Sequence, residues 1–278
     1  MKLMFVVAAA LMVTACQQDS RNVDQKLAQI QKDVADIKAA IGKGGAAGAA
    51  AQRPSRPEPD RTKTYALPID GDPFDGPADA KVTLVKAYDY ACPYCEKVRD
   101  TMDELRKKYG NDLRIVYKQF VVHPQVATAG ALAFCAAARQ GKAVDMDKAL
   151  WEKGFKARNF DKDEKCADSP DGCPVVLGYA KDLGLDANKF KADMKDCEQT
   201  KDKDMKELQV FGVGATPSFF VNGRFISGAV PIDQFTSVID EELKKANDRI
   251  AAGTPQAQYY QQWVMDKGLK ALEAPKPQ

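Results

Sequence analysis

Two cysteines, Cys92 and Cys95, stand between a run that reads as a strand and a run that reads as a helix, and this constrains the chain more than any other feature. Val82 to Tyr88 alternates and is rich in β-formers, while Cys95 to Tyr109 has helical character that ends at Gly110-Asn111. The spacing places the first sulfur at a helix N-terminus and the second one turn later on the same face, so the two can touch. Unpaired N–H groups in the first helical turn and the helix dipole favour negative charge there, which makes Cys92 the expected thiolate. Pro93 suits the first helical position, where no N–H is needed.

Such a pair points to thiol–disulfide exchange, with Cys92 attacking and Cys95 resolving the mixed disulfide. A purely structural bridge is disfavoured, because so short a loop restrains little of the unfolded chain. Zinc held by Cys92, Cys95, Cys166 and Cys173 is a rival reading. Six residues separate the second pair, more than the usual spacing. A Cu(I)-holding thiol pair, or an anchored scaffold without catalysis, is the remaining alternative. No metal and no cofactor are expected.

Further along, Leu113 to Phe120 reads as a second strand parallel to the first. A helical stretch from about Pro124 to Leu208 follows, broken at Gly141, Gly154, Ser169-Pro170-Asp171-Gly172 and Gly184. Ser218 to Val221 and Arg224 to Ser227 flank Asn222-Gly223, a pair suited to a type I′ hairpin, and Ile232 to Ala251 reads as a closing helix. The expected class is α/β, a strand–helix–strand unit with a helical insertion, then a hairpin and a helix.

The N-terminus has a different character. Lys2, the apolar run Leu3 to Val13 and the small residues before Cys16 form a secretion signal over 1–15. Val13-Thr14-Ala15-Cys16 resembles a bacterial lipoprotein signal, which implies acylation at Cys16 and a membrane anchor. Val23, Ile30 and Ile37 alternate with Leu27, Val34 and Ile41 as d and a positions of a heptad seam. The segment 16–41 therefore reads as a lipidated heptad helix able to join copies through residues 23–41, with an amphipathic helix on a membrane or on its own domain as the alternative. Residues 42–64, rich in Gly and Ala and then Pro, read as a linker. The domain is expected over 65–252, and 253–278 as a C-terminal helix and tail.

With 41 Lys and Arg against 39 Asp and Glu, the chain has no charge excess that would draw nucleic acid, and none is expected as a partner. Export places the cysteines in an oxidising compartment. Cys166 and Cys173 bracket a turn-rich loop suited to a local disulfide, which leaves Cys135 and Cys197 to pair, although four cysteines allow three connectivities.

Asp89-Tyr90-Ala91-Cys92-Pro93-Tyr94-Cys95, the helical insertion, and Gly212 to Gly223 with Ala215-Thr216-Pro217 resemble the DsbA-like branch of the thioredoxin superfamily. The resemblance covers about Val82 to Leu243 and implies a thioredoxin fold. Pro217 is then a cis-proline facing the cysteines, and Thr216, Pro93 and Tyr94 contact clients. Ala215, where Gly is frequent in the family, is a small departure. The implied activity is forming or isomerising disulfides in exported proteins, at a cell-envelope site facing the periplasm, with a membrane redox partner resetting the pair. Cys-Pro-Tyr-Cys with Thr before the proline resembles the isomerase-like and glutaredoxin-type members, and the heptad segment points the same way, but many DsbA-like oxidants share the Thr-Pro pair, so oxidation and isomerisation stand nearly level.

Asp89 is a candidate proton relay or a strand-end cap. Lys86 and Lys118 could stabilise a thiolate if they faced inward, but surface positions are expected. His123 reads as a buried or helix-capping residue.

Overall fold

The computed structural model describes residues 25–36, 38, 58–160 and 165–272. Two compact units are present, Met1–Ser55 and Arg56–Gln278. In the first, residues 25–36 form helix α1, whose Leu27, Ile30 and Val34 are exposed. The secretion signal, Cys16, Val23, Ile37, Ile41 and most of the expected linker lie outside the described residues.

The second unit is built on a mixed sheet of β1 (Phe74–Asp75), β2 (Val82–Tyr88), β3 (Leu113–Gln119), β4 (Ser218–Val221) and β5 (Arg224–Ser227), in the spatial order β1-β3-β2-β4-β5. β2 and β3 run parallel, Val82 opposite Leu113, because a helical crossover joins them. The other three pairings are antiparallel. β2 lies at the centre, so all of its residues are buried, Thr83 and Lys86 included.

The two faces of the sheet carry separate cores. Val82, Leu84 and Tyr88 of β2 pack with Cys92, Cys95 and the insertion helices. Val85, Ala87, Val116 and Phe120 pack with Tyr65, Leu208 and Phe220. The period-two alternation of a strand thus sorts β2 between two apolar layers rather than between core and water.

The crossover is two helices rather than the one expected: α2 (Pro93–Lys97) and α3 (Arg99–Tyr109) meet at Val98, which caps the first. The insertion contains α4 (Pro124–Ala138), α5 (Ala143–Ala149), a π-helical turn at Leu150–Lys156, α6 (Lys165–Asp168), α7 (Pro174–Asp182) and α8 (Ala187–Val210). Alanines on α4 are buried nearly throughout, which lets α8 and the sheet approach it closely. Disulfides join Cys135 on α4 to Cys197 on α8, and Cys166 on α6 to Cys173 at the start of α7. Asp186 caps α8 by accepting the Lys189 N–H at 2.8 Å.

Asn222 and Gly223 turn the hairpin with positive φ (44° and 84°), as a type I′ turn requires. Gly223 is also needed for space, since a Cβ there would meet the Tyr65 carbonyl at 2.4 Å. Asn222 ties the turn to the strand start, accepting from Thr83 N at 2.8 Å and donating to the Lys81 carbonyl at 3.1 Å. After α9 (Ile232–Ala251) the chain returns to the sheet, where Leu269 bridges Tyr65 and Tyr260 donates to the Leu67 carbonyl. The compact unit therefore starts before residue 65 and includes the C-terminal segment as far as it is described.

Candidate active site

Strand β2 delivers the chain to Cys92, whose extended backbone (φ −85°, ψ 117°) makes it the N-cap of α2, with Pro93 next. No side chain caps this helix, and the N–H groups of Cys95 and Tyr94 act on the Cys92 sulfur. Cys92 and Cys95 are free thiols, 4% and 3% exposed, whereas Tyr94 stands 63% exposed beside them. Across from Cys92 the Thr216–Pro217 bond is cis, and the Thr216 carbonyl lies 3.3 Å from Cys92 Sγ. Thr216 Oγ1 is buried without a partner among the described residues.

The environment separates the two sulfurs. A hydrogen bond from the Cys95 thiol, aided by the N–H groups of Cys95 and Tyr94, holds Cys92 down to about 5 against the cost of burial. Burial, together with the hydrogen bond Cys95 gives to Cys92, pushes the Cys95 thiol far up. One sulfur is thus an anion at neutral pH and the other a protonated donor, the division of labour that an attacking and a resolving thiol need.

Asp89, fully buried, accepts from Ala91 N at 2.6 Å, Val122 N at 2.6 Å and His123 N at 2.8 Å, with His123 Nδ1 at 3.3 Å. Of the two readings of this residue the geometry supports the cap, since its oxygens are taken up in fastening the Val122-His123 loop to the cysteine turn. His123 is the N-cap residue of α4 but gives no side-chain cap and is half exposed, so it is not a buried histidine.

The expected surface positions of two lysines are wrong. Lys118 is buried on the face away from the cysteines, with Nζ 2.7 Å from Asp72, 3.1 Å from Asp204 and 2.6 Å from Glu207. Burial opposes its charge, yet Asp204 and Asp72 raise its pKa overall. Lys86 is buried on the cysteine face, 5% exposed. Charged residues are rarely buried, so a lone Lys within a β-rich run is ordinarily read as facing solvent; only the central place of β2, with layers on both sides, reverses that.

Sequence reasoning missed a polar chain behind the site. Gln119 Nε2 donates to Tyr88 OH at 2.6 Å, Tyr88 OH lies 3.1 Å from Tyr90 OH, and Tyr90 OH donates to Asp147 at 2.8 Å, which also takes Trp151 Nε1 at 3.2 Å. The tyrosines stand at the end of β2 and in the cysteine motif, but their partners come from 31 to 57 residues away and carried no spacing signal. A cavity of about 540 Å³ opens next to the cysteine turn, walled by Ala91, Pro93, Val126, Phe155 and Phe160. Cys166 and Cys173 are bonded to each other, which removes two ligands from the zinc alternative.

A family model described as thioredoxin matches residues 70–241, most of the second unit. The chain belongs to the thioredoxin family. Solved structures of similar fold include a variant of α-DsbA1 from Wolbachia pipientis with two cysteines replaced by alanine (TM-score 0.53, 19% identity, 66% of this chain and 96% of that one). The catalytic domain of Proteus mirabilis ScsC superposes with TM-score 0.52 at 21% identity over 64% of this chain and 93% of that chain. Oxidised BdbD from Bacillus subtilis gives 0.51 at 23% identity, over 68% of this chain and all of that chain (100%). The fold is therefore the DsbA-like one, with helices inserted into the thioredoxin sheet.

Among curated sequences, the Na(+)/H(+) antiporter NhaA of Herminiimonas arsenicoxydans is 32% identical over 198 residues, 69% of this chain and 29% of that protein. NhaA 1 of Mycobacterium sp. strain KMS is 32% identical over 171 residues, 58% of this chain and 25% of that protein. The chain thus spans less than a third of the length of these relatives. Among the described residues no helix is long and apolar enough to cross a membrane.

Proposed function

We propose that this protein is a thiol–disulfide oxidoreductase that forms or isomerises disulfides in exported proteins through Cys92-Pro93-Tyr94-Cys95. The observation that carries this reading is a depressed-pKa Cys92 at a helix N-terminus, facing the Thr216 carbonyl across a cis-proline, with a protonated Cys95 beneath it. In the oxidising direction a client thiolate attacks Cys92 of the Cys92–Cys95 disulfide, and Cys95 departs. A second client thiol then attacks the client sulfur of the mixed disulfide, and the Cys92 thiolate leaves. In isomerisation the Cys92 thiolate opens a wrong client disulfide, and a client thiol, or Cys95, releases it. A low Cys92 pKa makes Cys92 a good leaving group whenever a client thiol attacks the client sulfur of the mixed disulfide, whereas release by Cys95 expels the client thiolate.

Thr216 and Pro217 present a backbone edge to an extended client segment, while Pro93 and Tyr94 form the rim beside the reactive sulfur. The disulfides Cys135–Cys197 and Cys166–Cys173 are structural and brace the insertion. Lipidation at Cys16 would hold the protein on the cell envelope facing the periplasm, where a membrane redox partner resets the pair. The exposed stripe Leu27, Ile30 and Val34 on α1 supports a homo-oligomer joined through residues 23–41. Joined copies would surround one client with several Cys92 sites at high effective concentration, which favours isomerisation.

The deciding experiment uses scrambled and reduced ribonuclease in parallel, with full-length protein and protein lacking residues 17–60. Isomerase activity that depends on the N-terminal segment supports the oligomeric isomerase. Oxidation independent of that segment supports a simple oxidant. Loss of neither activity in Cys92→Ser refutes the site.

A further inference from the structure

A second cavity, of about 500 Å³, is bordered by β1, β3, α4 and α8, and none of Cys92, Cys95, Thr216 and Pro217 lines it. Tyr117 and Phe134 give it aromatic walls, with 5.2 Å between their ring centroids. Cys135 and Cys197 also line it, so the disulfide that ties α4 to α8 holds the walls in place before anything binds.

The polar groups around this cavity are unevenly provided for. Gln119, 4% exposed, lines it, and the hydrogen bonds behind the residue fix which way its amide is turned. Asp147 accepts from Tyr90 OH and Trp151 Nε1, so the Tyr90 proton is committed. Tyr88 OH must then donate to Tyr90 and accept from Gln119 Nε2. Gln119 Oε1 is left buried with no donor among the described residues. A buried acceptor of this kind is costly until something donates to it.

Asp72 and Asp204 line the same cavity. With Glu207 they surround the one buried ammonium of Lys118, while Lys203 reaches the part-exposed Glu207 at 3.7 Å. Three carboxylates against these two ammonium groups leave an excess of negative charge. Burial accordingly pushes the Asp72 and Asp204 carboxyls up despite Lys118, Asp204 to about 6. The cations that line the cavity are each matched by a carboxylate: Arg139 by Asp193, Lys142 by Asp145 and Lys201 by Asp202. Donors and positive charge are what the cavity lacks.

We propose that this cavity binds a small primary ammonium carried on an aromatic body, an N–H donating to Gln119 Oε1, the charge set against Asp72 and Asp204, and the body against Tyr117 and Phe134. A neutral alcohol would satisfy Gln119 but leave the charge excess, and a carboxylate would be repelled by it. A metal ion fits less well, because Lys118 already stands among the carboxylates and the described residues contain no cluster able to hold one. The site does not depend on the oxidoreductase reading.

Full-length protein is titrated near neutral pH, by isothermal calorimetry, with phenethylammonium, 2-phenylethanol and phenylacetate. One saturable site for phenethylammonium is expected, with 2-phenylethanol about tenfold weaker or more and phenylacetate not bound. Gln119→Met, which removes the acceptor from a chain of similar length, should weaken phenethylammonium about tenfold. Ala138→Phe, at a half-buried position on the cavity wall, should abolish its binding while leaving the acceptors in place. Circular dichroism melts show which variants are folded, and the wild-type comparison of the three probes needs no variant. Binding should persist after Cys92 and Cys95 are alkylated; its loss would place the probe at the cysteine turn and overturn the inference. No saturable binding of phenethylammonium, equal affinity for the three probes, or unchanged affinity in either folded variant overturns it as well. Displacement of the probe by equimolar calcium would assign the acceptors to a metal ion, with the same consequence.

Discussion

Replacing Cys95 by Ala isolates what holds Cys92 ionised. The Cys95 thiol is the largest contributor to the low Cys92 pKa of about 5, ahead of the backbone N–H groups of the first helical turn. A hydrogen bond to a charged acceptor is worth about 1.5–3 kcal/mol, and a pKa unit about 1.4 kcal/mol, so losing it moves the pKa up by roughly 1 to 2 units. The midpoint in Cys95→Ala is therefore expected between about 6 and 7, and at pH 5.5 the thiolate population falls roughly three- to twenty-five-fold. Cys95→Ser keeps a donor and should shift less. The assay is a pH titration of ultraviolet thiolate absorbance on reduced protein, which avoids the change in intrinsic nucleophilicity that accompanies a pKa change. A Cys95→Ala midpoint that stays near that of the wild type would show that the helix N-terminus alone holds the thiolate. A wild-type midpoint above 8 would refute the electrostatics of the site altogether.

The same low pKa links redox state to stability. Cys92 is depressed below its unfolded value, so its stabilisation of the reduced protein is fully present above about pH 8.5 and is lost as pH falls towards 5, at roughly 1.4 kcal/mol per unit. Denaturant titrations should show the reduced form losing stability relative to the oxidised form as pH falls over that range; a constant difference counts against it. The disulfide Cys135–Cys197 closes a separation of 62 residues, and removing it with a double Ala substitution should cost about 4 kcal/mol by chain entropy; Cys166–Cys173, with a separation of 7, should cost about 2 kcal/mol. Equal losses in the two variants would show that loop closure is not the source. Asp89→Ala strips the acceptor from three backbone N–H groups and should cost more than about 3 kcal/mol in equilibrium unfolding, a value near zero being incompatible with the cap. Leu27→Lys with Ile30→Lys on α1 should lower the mass found by light scattering if residues 23–41 join copies, and an unchanged mass refutes the oligomer.

The frame of the fold was legible because its signals are local. β2, the Asn222-Gly223 hairpin with its flanking strands, and α9 all announce themselves in a few consecutive residues, through alternation, turn chemistry or helical spacing. The cysteine turn was legible for the same reason, since Pro93 and two cysteines one turn apart state their geometry within four positions. Features that depend on what packs above a strand were not. Lys86 and Lys118 look alike in sequence, but one meets the Tyr88 and Tyr117 rings on the cysteine face and the other three carboxylates on the opposite face. β1 is two residues long and exists only because Phe74 and Asp75 pair with Val116 and Ile115. The return of the chain end to Tyr65, and the union of Tyr88, Tyr90, Gln119 and Asp147, likewise join distant segments and leave no periodicity to read.

The central claim is that Cys92 and Cys95 exchange disulfides with protein clients. It is tested most directly by refolding scrambled and reduced ribonuclease with wild-type protein and with Cys92→Ser. The account predicts that the wild type restores ribonuclease activity from at least one substrate and that Cys92→Ser restores it from neither. Equal recovery with the two proteins, or none with a wild type whose cysteine pair is shown to cycle, would contradict it.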